Sequence, residues 1–284
     1  MMKYTNKNLE FSINCKGNLV DLKKPKVMGI LNVTPDSFFD GGKYNNIDAA
    51  LFQIEKMLLE GADFIDIGGQ TTKPGAKDIG DEEELKRVLP IVEKAVEKFP
   101  ASILSVDTFH SKVAKACIQA GASMVNDISG GNFDSKMFET VGELDCPYIL
   151  MHIQGKPENM QKKPIYNNVT LDILKILSEK VASLKNEGVK DIIIDPGFGF
   201  GKTTAHNFQL LKDLNIFKDV LKLPILAGLS RKSMIWKTLD IEPENALNGT
   251  SALNTIALMN GAKILRVHDV KAAKECITLF NQLP

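Results

Sequence analysis

Eight times along this chain a short apolar run of β-like composition gives way to a longer amphipathic segment of helical period. Strands separated by helices cannot pair as tight hairpins. The crossovers set them parallel, in one sheet whose faces the helices cover. The runs are Lys26–Leu31, Ala62–Ile67, Ser102–Val106, Ser123–Val125, Tyr148–Met151, Asp191–Ile194, Leu223–Gly228 and Ala262–Leu265. Helical segments read over Ile47–Glu60, Glu82–Lys98, Ser111–Ala120, Ser135–Leu144 and Val169–Glu187, and Ala272–Gln282 ends the chain. In the first of them Ala50, Leu51, Ile54, Met57 and Leu58 share one face. Gly61 and Gly188 stand where helix C-caps belong.

Eight such units predict the α/β class and, within it, a (β/α)8 TIM barrel. A doubly wound open sheet shares the local pattern and is the competing fold. Residues 1–25 alternate around a Gly17-Asn18 turn, with Phe11, Ile13 and Cys15 before it and Leu19 and Leu22 after. They read as an N-terminal β-hairpin covering the bottom of the barrel. No linker or low-complexity tract divides the sequence, so residues 1–284 are expected to form a single domain.

The 35 Lys and Arg match the 35 Asp and Glu, for a formal net charge of zero. Nucleic acid and anionic membranes select for clustered positive charge, so neither is an expected partner. A 44% hydrophobic content excludes disorder as a description of the whole chain. Apolar stretches such as Val27–Val33 are too short to span a bilayer. The N-terminus has no apolar signal region, and Cys15, Cys117, Cys146 and Cys276 stand far apart; both features point to a cytoplasmic protein with reduced thiols.

Barrel interiors are packed, so function collects where strands end and the βα loops begin. Those ends are polar throughout: Asn32, the GGQTTKPGA loop, Asp107-Thr108, Asn126-Asp127, His152, Asp195, Ser230 to Ser233, and Arg266 to Asp269. One such residue is explained by a cap or turn. Eight of eight, rich in charge and amide, point to a polar ligand across the mouth. Other motifs lead nowhere. PGFGFGKT has Pro196 where a phosphate-binding loop needs glycine, and its Gly197, Gly199 and Gly201 instead suit a loop with positive φ. The four histidines lack zinc spacing, and His110 and His206 read as helix-start residues.

MGILNVTPDSFFDGG, IDIGGQTTKPGA, SVDT, VNDISGG, LMHIQG, DPGFGFGK, GLSRKSM and RVHDV, in this order, resemble the motif series of the dihydropteroate synthases from Lys26 to the last helix. The resemblance implies a (β/α)8 barrel and a transferase of folate biosynthesis. That enzyme joins 6-hydroxymethyl-7,8-dihydropterin diphosphate to 4-aminobenzoate, yielding 7,8-dihydropteroate and pyrophosphate. Carried over to the matching positions, Asp107 and Asp195 accept from the amino-pyrimidinone edge of the pterin. Asn126 adds ring hydrogen bonds, Lys232 points at the carbonyl side and Met151 packs on the ring. Arg266 and His268 grip the diphosphate with Thr72 assisting, and Asn32 binds it through Mg2+. Phe38, Pro74, Phe200 and Ser233 form the aminobenzoate site as loops close. The displacement implied is SN1-like, needing no nucleophilic side chain. A homodimer built through the last helices is also implied.

The sequence departs from the family's usual GGESTRPGA, with Gln70, Thr71 and Lys73 in place of Glu, Ser and Arg. Lys73 keeps the charge without the planar fork. Phe39 stands where a small Ser is common and is expected to narrow the aminobenzoate and sulfonamide pocket. A pterin-binding methyltransferase barrel would not need the Ser230–Ser233 and Arg266–Asp269 groups. A catalytically silent pterin-binding module would be expected to lose Asn32, Lys232, Arg266 or His268, all present here.

Overall fold

In the computed structural model, residues 10–34, 42–162 and 164–284 are described. The hairpin is β1 (Ser12–Cys15) and β2 (Asn18–Asp21), paired antiparallel. Its two-residue turn is Lys16-Gly17, one position earlier than expected. Both residues have positive φ, and the Gly17 N–H donates to Asn14 Oδ1 at 2.7 Å. Two consecutive left-handed residues match the twist of a hairpin, so Asn18 is left to start the second strand.

Eight strands follow: β3 (Lys26–Asn32), β4 (Phe64–Gly68), β5 (Leu104–Asp107), β6 (Met124–Asp127), β7 (Tyr148–Met151), β8 (Ile192–Asp195), β9 (Ile225–Ala227) and β10 (Ala262–Val267). Each pairs in parallel with the next, and β10 closes the ring on β3. The open-sheet alternative is thereby excluded. At the mouth several ladders run past the last apolar residue, through Asn32, Asp107, Asp127 and Asp195. Backbone pairing is indifferent to side-chain polarity, whereas the sequence reading ended each strand where its apolar run ended.

The outer layer is α1 (Gly42–Leu59), α2 (Asp81–Lys98), α3 (Ser111–Ala120), α4 (Met137–Leu144), α5 (Val169–Asn186), α6 (Thr204–Lys212), α7 (Leu214–Leu221), α8 (Ser233–Leu239), α9 (Leu247–Met259) and α10 (Val270–Phe280). The crossovers before β9 and before β10 each carry a second helix that the sequence reading did not separate. Thr203 and His206 form a capping box that opens α6, which agrees with a helix-start role for His206.

The period of two divides the core into two compartments. Outward residues such as Val27, Ile65, Val106, Val125, Leu150, Ile194, Ala227 and Leu265 pack under the helices. Inward residues Met28, Phe64, Met124, Ile149, Ile193, Leu226 and Ile264 fill the barrel's lower half together with Ile13, Cys15 and Leu22 of the hairpin segment. The hairpin therefore plugs the bottom of the barrel. It is tied there by the Asn14 N–H donating to Asp191 Oδ2 at 3.0 Å.

Candidate active site

Two residues further along, the inward row turns polar on β4, β6, β8 and β10. Above Phe64 sits Asp66, above Met124 Asn126, above Ile149 Met151, above Ile193 Asp195 and above Ile264 Arg266; Asp107 faces in at the same level from β5. Asp66 is fully buried. Arg266 Nε donates to Asp66 Oδ2 at 2.7 Å and Nη2 to Asp107 Oδ2 at 2.5 Å, while Asn126 Nδ2 donates to the same Asp66 oxygen at 2.8 Å. Burial raises the Asp107 carboxyl above the ordinary carboxylate range, and the Arg266 charge opposes that shift. Asp66 Oδ1 and Ser105 Oγ are buried with no hydrogen-bond partner among the described residues.

The sequence reading missed Asp66, which lay inside an apolar run. The signal available was its parity, because a charged residue at an inward position of a barrel strand needs a partner inside the barrel. Arg266, expected to grip the diphosphate, is held from the barrel side by two carboxylates, Asp66 and Asp107. Asp127, adjacent to Asn126, faces outward and is structural: it accepts from the Ser129 and Gly131 N–H groups and from Tyr148 Oη.

Asp195 ends β8 and accepts from the Gly197 N–H at 2.7 Å; burial raises its carboxyl and the Lys232 charge opposes the rise. Lys232 precedes α8, donates to the Phe198 carbonyl and lies 4.5 Å from the Phe200 ring centroid. Burial brings its ammonium down to about 8, despite the favourable charges of Asp195 and Asp107. Met151 and Phe200 belong to one apolar wall, with Phe109, Ile128, Ile153, Met160 and Phe133. Ser233 is the first residue of α8, beside Lys232.

His268 follows β10, and its ring Nδ1 lies 3.1 Å from Ser230 Oγ. Desolvation against the rim and the Arg266 charge lower its imidazole below the ordinary range. That shift leaves the ring neutral at pH 7. Arg231 of the same loop is engaged elsewhere, in a bidentate pair with Asp269 at 2.9 Å.

Asn32 ends β3, exposed at the mouth. Thr72 and Pro74 lie on the loop after β4, whose anchor runs to the loop after β7: the Gly75 N–H donates to the Pro157 carbonyl at 3.0 Å. Pro74 is exposed and Thr72 half-buried. The structure thus brings together Asp107, Asn126, Met151, Asp195, Phe200, Lys232, Ser233, Arg266 and His268, while Thr72 and Pro74 stand on a separately anchored loop. Phe38 and Phe39 lie outside the described residues.

Among the described residues no His, Cys, Asp and Glu group forms a metal cluster. Asn32 offers one neutral amide oxygen in an exposed position. That suits Mg2+, which keeps most of its waters and shares substrate phosphates.

A closed parallel barrel with paired charges and an apolar wall at its carboxyl-end mouth has the arrangement of a (β/α)8 enzyme. The sequence profile of the pterin binding enzymes matches residues 28–268. Dihydropteroate synthase of Haemophilus influenzae is 44% identical over 264 residues, covering 92% of this chain and 95% of that protein. The Yersinia pestis dihydropteroate synthase solved with a sulfonamide drug has a TM-score of 0.90 at 42% identity, covering 96% of this chain and 98% of its own. The Xanthomonas albilineans enzyme solved with 7,8-dihydropteroate has a TM-score of 0.87 at 38% identity, covering 96% and 100%. The chain belongs to the dihydropteroate synthase family of pterin-binding enzymes.

Proposed function

We infer that this chain is a dihydropteroate synthase of folate biosynthesis, joining 6-hydroxymethyl-7,8-dihydropterin diphosphate to 4-aminobenzoate. The observation that carries the reading is the polar inward row, in which the buried carboxylates Asp107 and Asp195 stand with Arg266 and Lys232 as counter-charges. A pterin presents adjacent N–H donors like a guanidinium, and a carboxylate accepts two in parallel. Asp195 and Asp107 take that edge, Asn126 the ring nitrogens and Lys232 the carbonyl side. The Met151 and Phe200 wall supports the ring faces.

The leaving diphosphate needs fixed positive charge where its own charge develops. Arg266, held at Nε and Nη2 by Asp66 and Asp107, supplies that charge. His268, neutral in the free protein, takes up a proton beside the anion, and Thr72 adds a hydroxyl. Mg2+ held at Asn32 would neutralise diphosphate charge. Departure of the leaving group ahead of arylamine attack makes the displacement SN1-like. The arylamine carboxylate lies against Ser233, with Phe38 and Pro74 closing over it.

The dimer expected of the family finds support in exposed apolar side chains on and beside the packed pair α9 and α10, among them Met259 and Leu279, 66% and 72% exposed. Four free, buried cysteines favour a cytoplasmic setting. No helix among the described residues is long and apolar enough to cross a membrane.

The test is pyrophosphate release from the pterin diphosphate and 4-aminobenzoate, with Mg2+ and with chelator. Turnover that chelator removes is expected; no release under any condition rejects the reading. Lys232→Ala and Asp195→Ala are each expected to abolish turnover while far-UV circular dichroism stays native. A near-normal rate in either refutes that residue's role.

A further inference from the structure

The loop that follows Asp195 has no regular structure, yet each carbonyl from Gly197 to Gly201 accepts from a side chain. Gly197 and Phe200 accept from Lys202 Nζ (2.8 and 2.9 Å), Phe198 from Lys232, Gly199 from Gln161 Nε2 (2.7 Å) and Gly201 from Tyr166 Oη (2.9 Å). Backbone groups this close to a core have to find partners, and here a single lysine serves two of the five. Lys202 is 3% exposed, and its ammonium also reaches His152 Nδ1 at 3.0 Å and the His152 carbonyl at 3.3 Å. The loop is pressed flat against the end of β7. A Cβ on Gly197 would lie 1.9 Å from the His152 oxygen, and one on Gly201 2.4 Å from the Gln154 oxygen.

The geometry points to Lys202 as a positioning residue for the pterin site, its caged ammonium drawing the loop after β8 onto β7 and so holding Asp195 and Lys232 in register. Two bonds transmit the effect. The Gly197 N–H orients Asp195 Oδ1 at 2.7 Å, and the Phe198 carbonyl holds Lys232. The Phe200 ring beneath Lys232 is carried by the same loop. For Lys202 to donate to Nδ1, His152 must be neutral with its proton on Nε2. Burial and the Lys202 charge lower the His152 pKa well below the ordinary range, in agreement with that tautomer. Burial lowers the Lys202 pKa well below that of a free lysine, and the Asp195 charge opposes the fall. In its charged form Lys202 favours the ionised state of Asp195 together with Lys232 and Arg266.

This inference rests on Asp195 and Lys232 binding the pterin, and the experiment separates the two failures. Pterin itself is titrated by fluorescence across pH into wild type, Lys202→Met, Tyr166→Phe and Asp195→Asn, each checked for native circular dichroism. Lys202→Met is expected to weaken pterin binding about tenfold or more. Its acid limb of binding is expected to move to higher pH as Asp195 loses a stabilising charge. Tyr166→Phe, which frees only the Gly201 carbonyl, keeps wild-type affinity. Native pterin affinity and an unmoved acid limb in a folded Lys202→Met, while Asp195→Asn fails to bind, overturn the positioning role and leave the site standing. Native binding in Asp195→Asn overturns the site itself. Where Lys202→Met does not fold, Lys202→Gln, which keeps a donor but no charge and cannot serve all the carbonyls, replaces it. Unchanged affinity with an unmoved acid limb there overturns the role equally.

Discussion

Arg266 sets one positive charge between two buried carboxylates, and only one of these, Asp107, stands at a visibly polar strand end. Asp66 lies in the middle of an apolar run, where sequence gives no reason to single it out beyond its parity. Asp66→Asn preserves shape and one acceptor but removes the charge that holds Arg266 Nε. Breaking a buried charged pair is costly. The variant is expected to lose about 1–3 kcal/mol in urea unfolding and at least about tenfold in kcat/KM as Arg266 relaxes toward Asp107; wild-type kinetics would remove Asp66 from the site. Lys232 makes a pH prediction whose sign follows from its lowered pKa. The ammonium is charged below about 8 and loses its proton as the pH rises through that value, depriving Asp195 of its strongest counter-charge. The profile of kcat/KM for the pterin diphosphate is therefore expected to fall on the alkaline side with a midpoint near 8. Lys232→Arg, always charged, should have lower activity but no alkaline limb. A limb still present in that variant would assign it to another group.

At the scale of elements the hairpin shows how a reading can be right in kind and displaced in detail. Of the alternating residues Phe11, Ile13, Cys15, Leu19 and Leu22, Ile13, Cys15 and Leu22 are buried and plug the barrel, whereas Leu19 on the second strand is exposed. The turn fell on Lys16-Gly17 because a lysine accepts positive φ there, which no residue preference announces. Leu22 is fully buried against the lower barrel layer. Leu22→Ala is expected to cost about 2–5 kcal/mol, read from the denaturation midpoint, with kcat at 25 °C little changed because the mouth lies at the other end. A large loss of kcat in the folded variant would show that the two ends are coupled. The loop after β8 is the opposite case. Its glycines announced positive φ correctly, whereas the cage around Lys202 depends on a histidine fifty positions earlier and had no local signature.

For the whole molecule, zero net charge conceals a mouth where carboxylates and cations are sorted by position. Exposed Met259 and Leu279 give the molecule an apolar surface beside the last helices. If two copies join there, Met259→Lys with Leu279→Lys should halve the mass seen by light scattering while leaving the barrel's circular dichroism intact. An unchanged mass would place the contact elsewhere, or reject the dimer if wild type is itself monomeric.

The class of fold, the direction of the strands and the polar character of the mouth were all determined by sequence alone, because each depends on patterns that repeat within one βα unit: a period of two, a period near four, and the residue after a strand. Tertiary structure alone decided which polar residues act together. Arg266 meets Asp66 across 200 positions of chain and Asp107 across 159. Only closure of β10 on β3, which sets β10 next but one to β4, brings those side chains into one low-dielectric space. There an unpaired charge is too costly to leave, so each must find the partner that the ring places within reach.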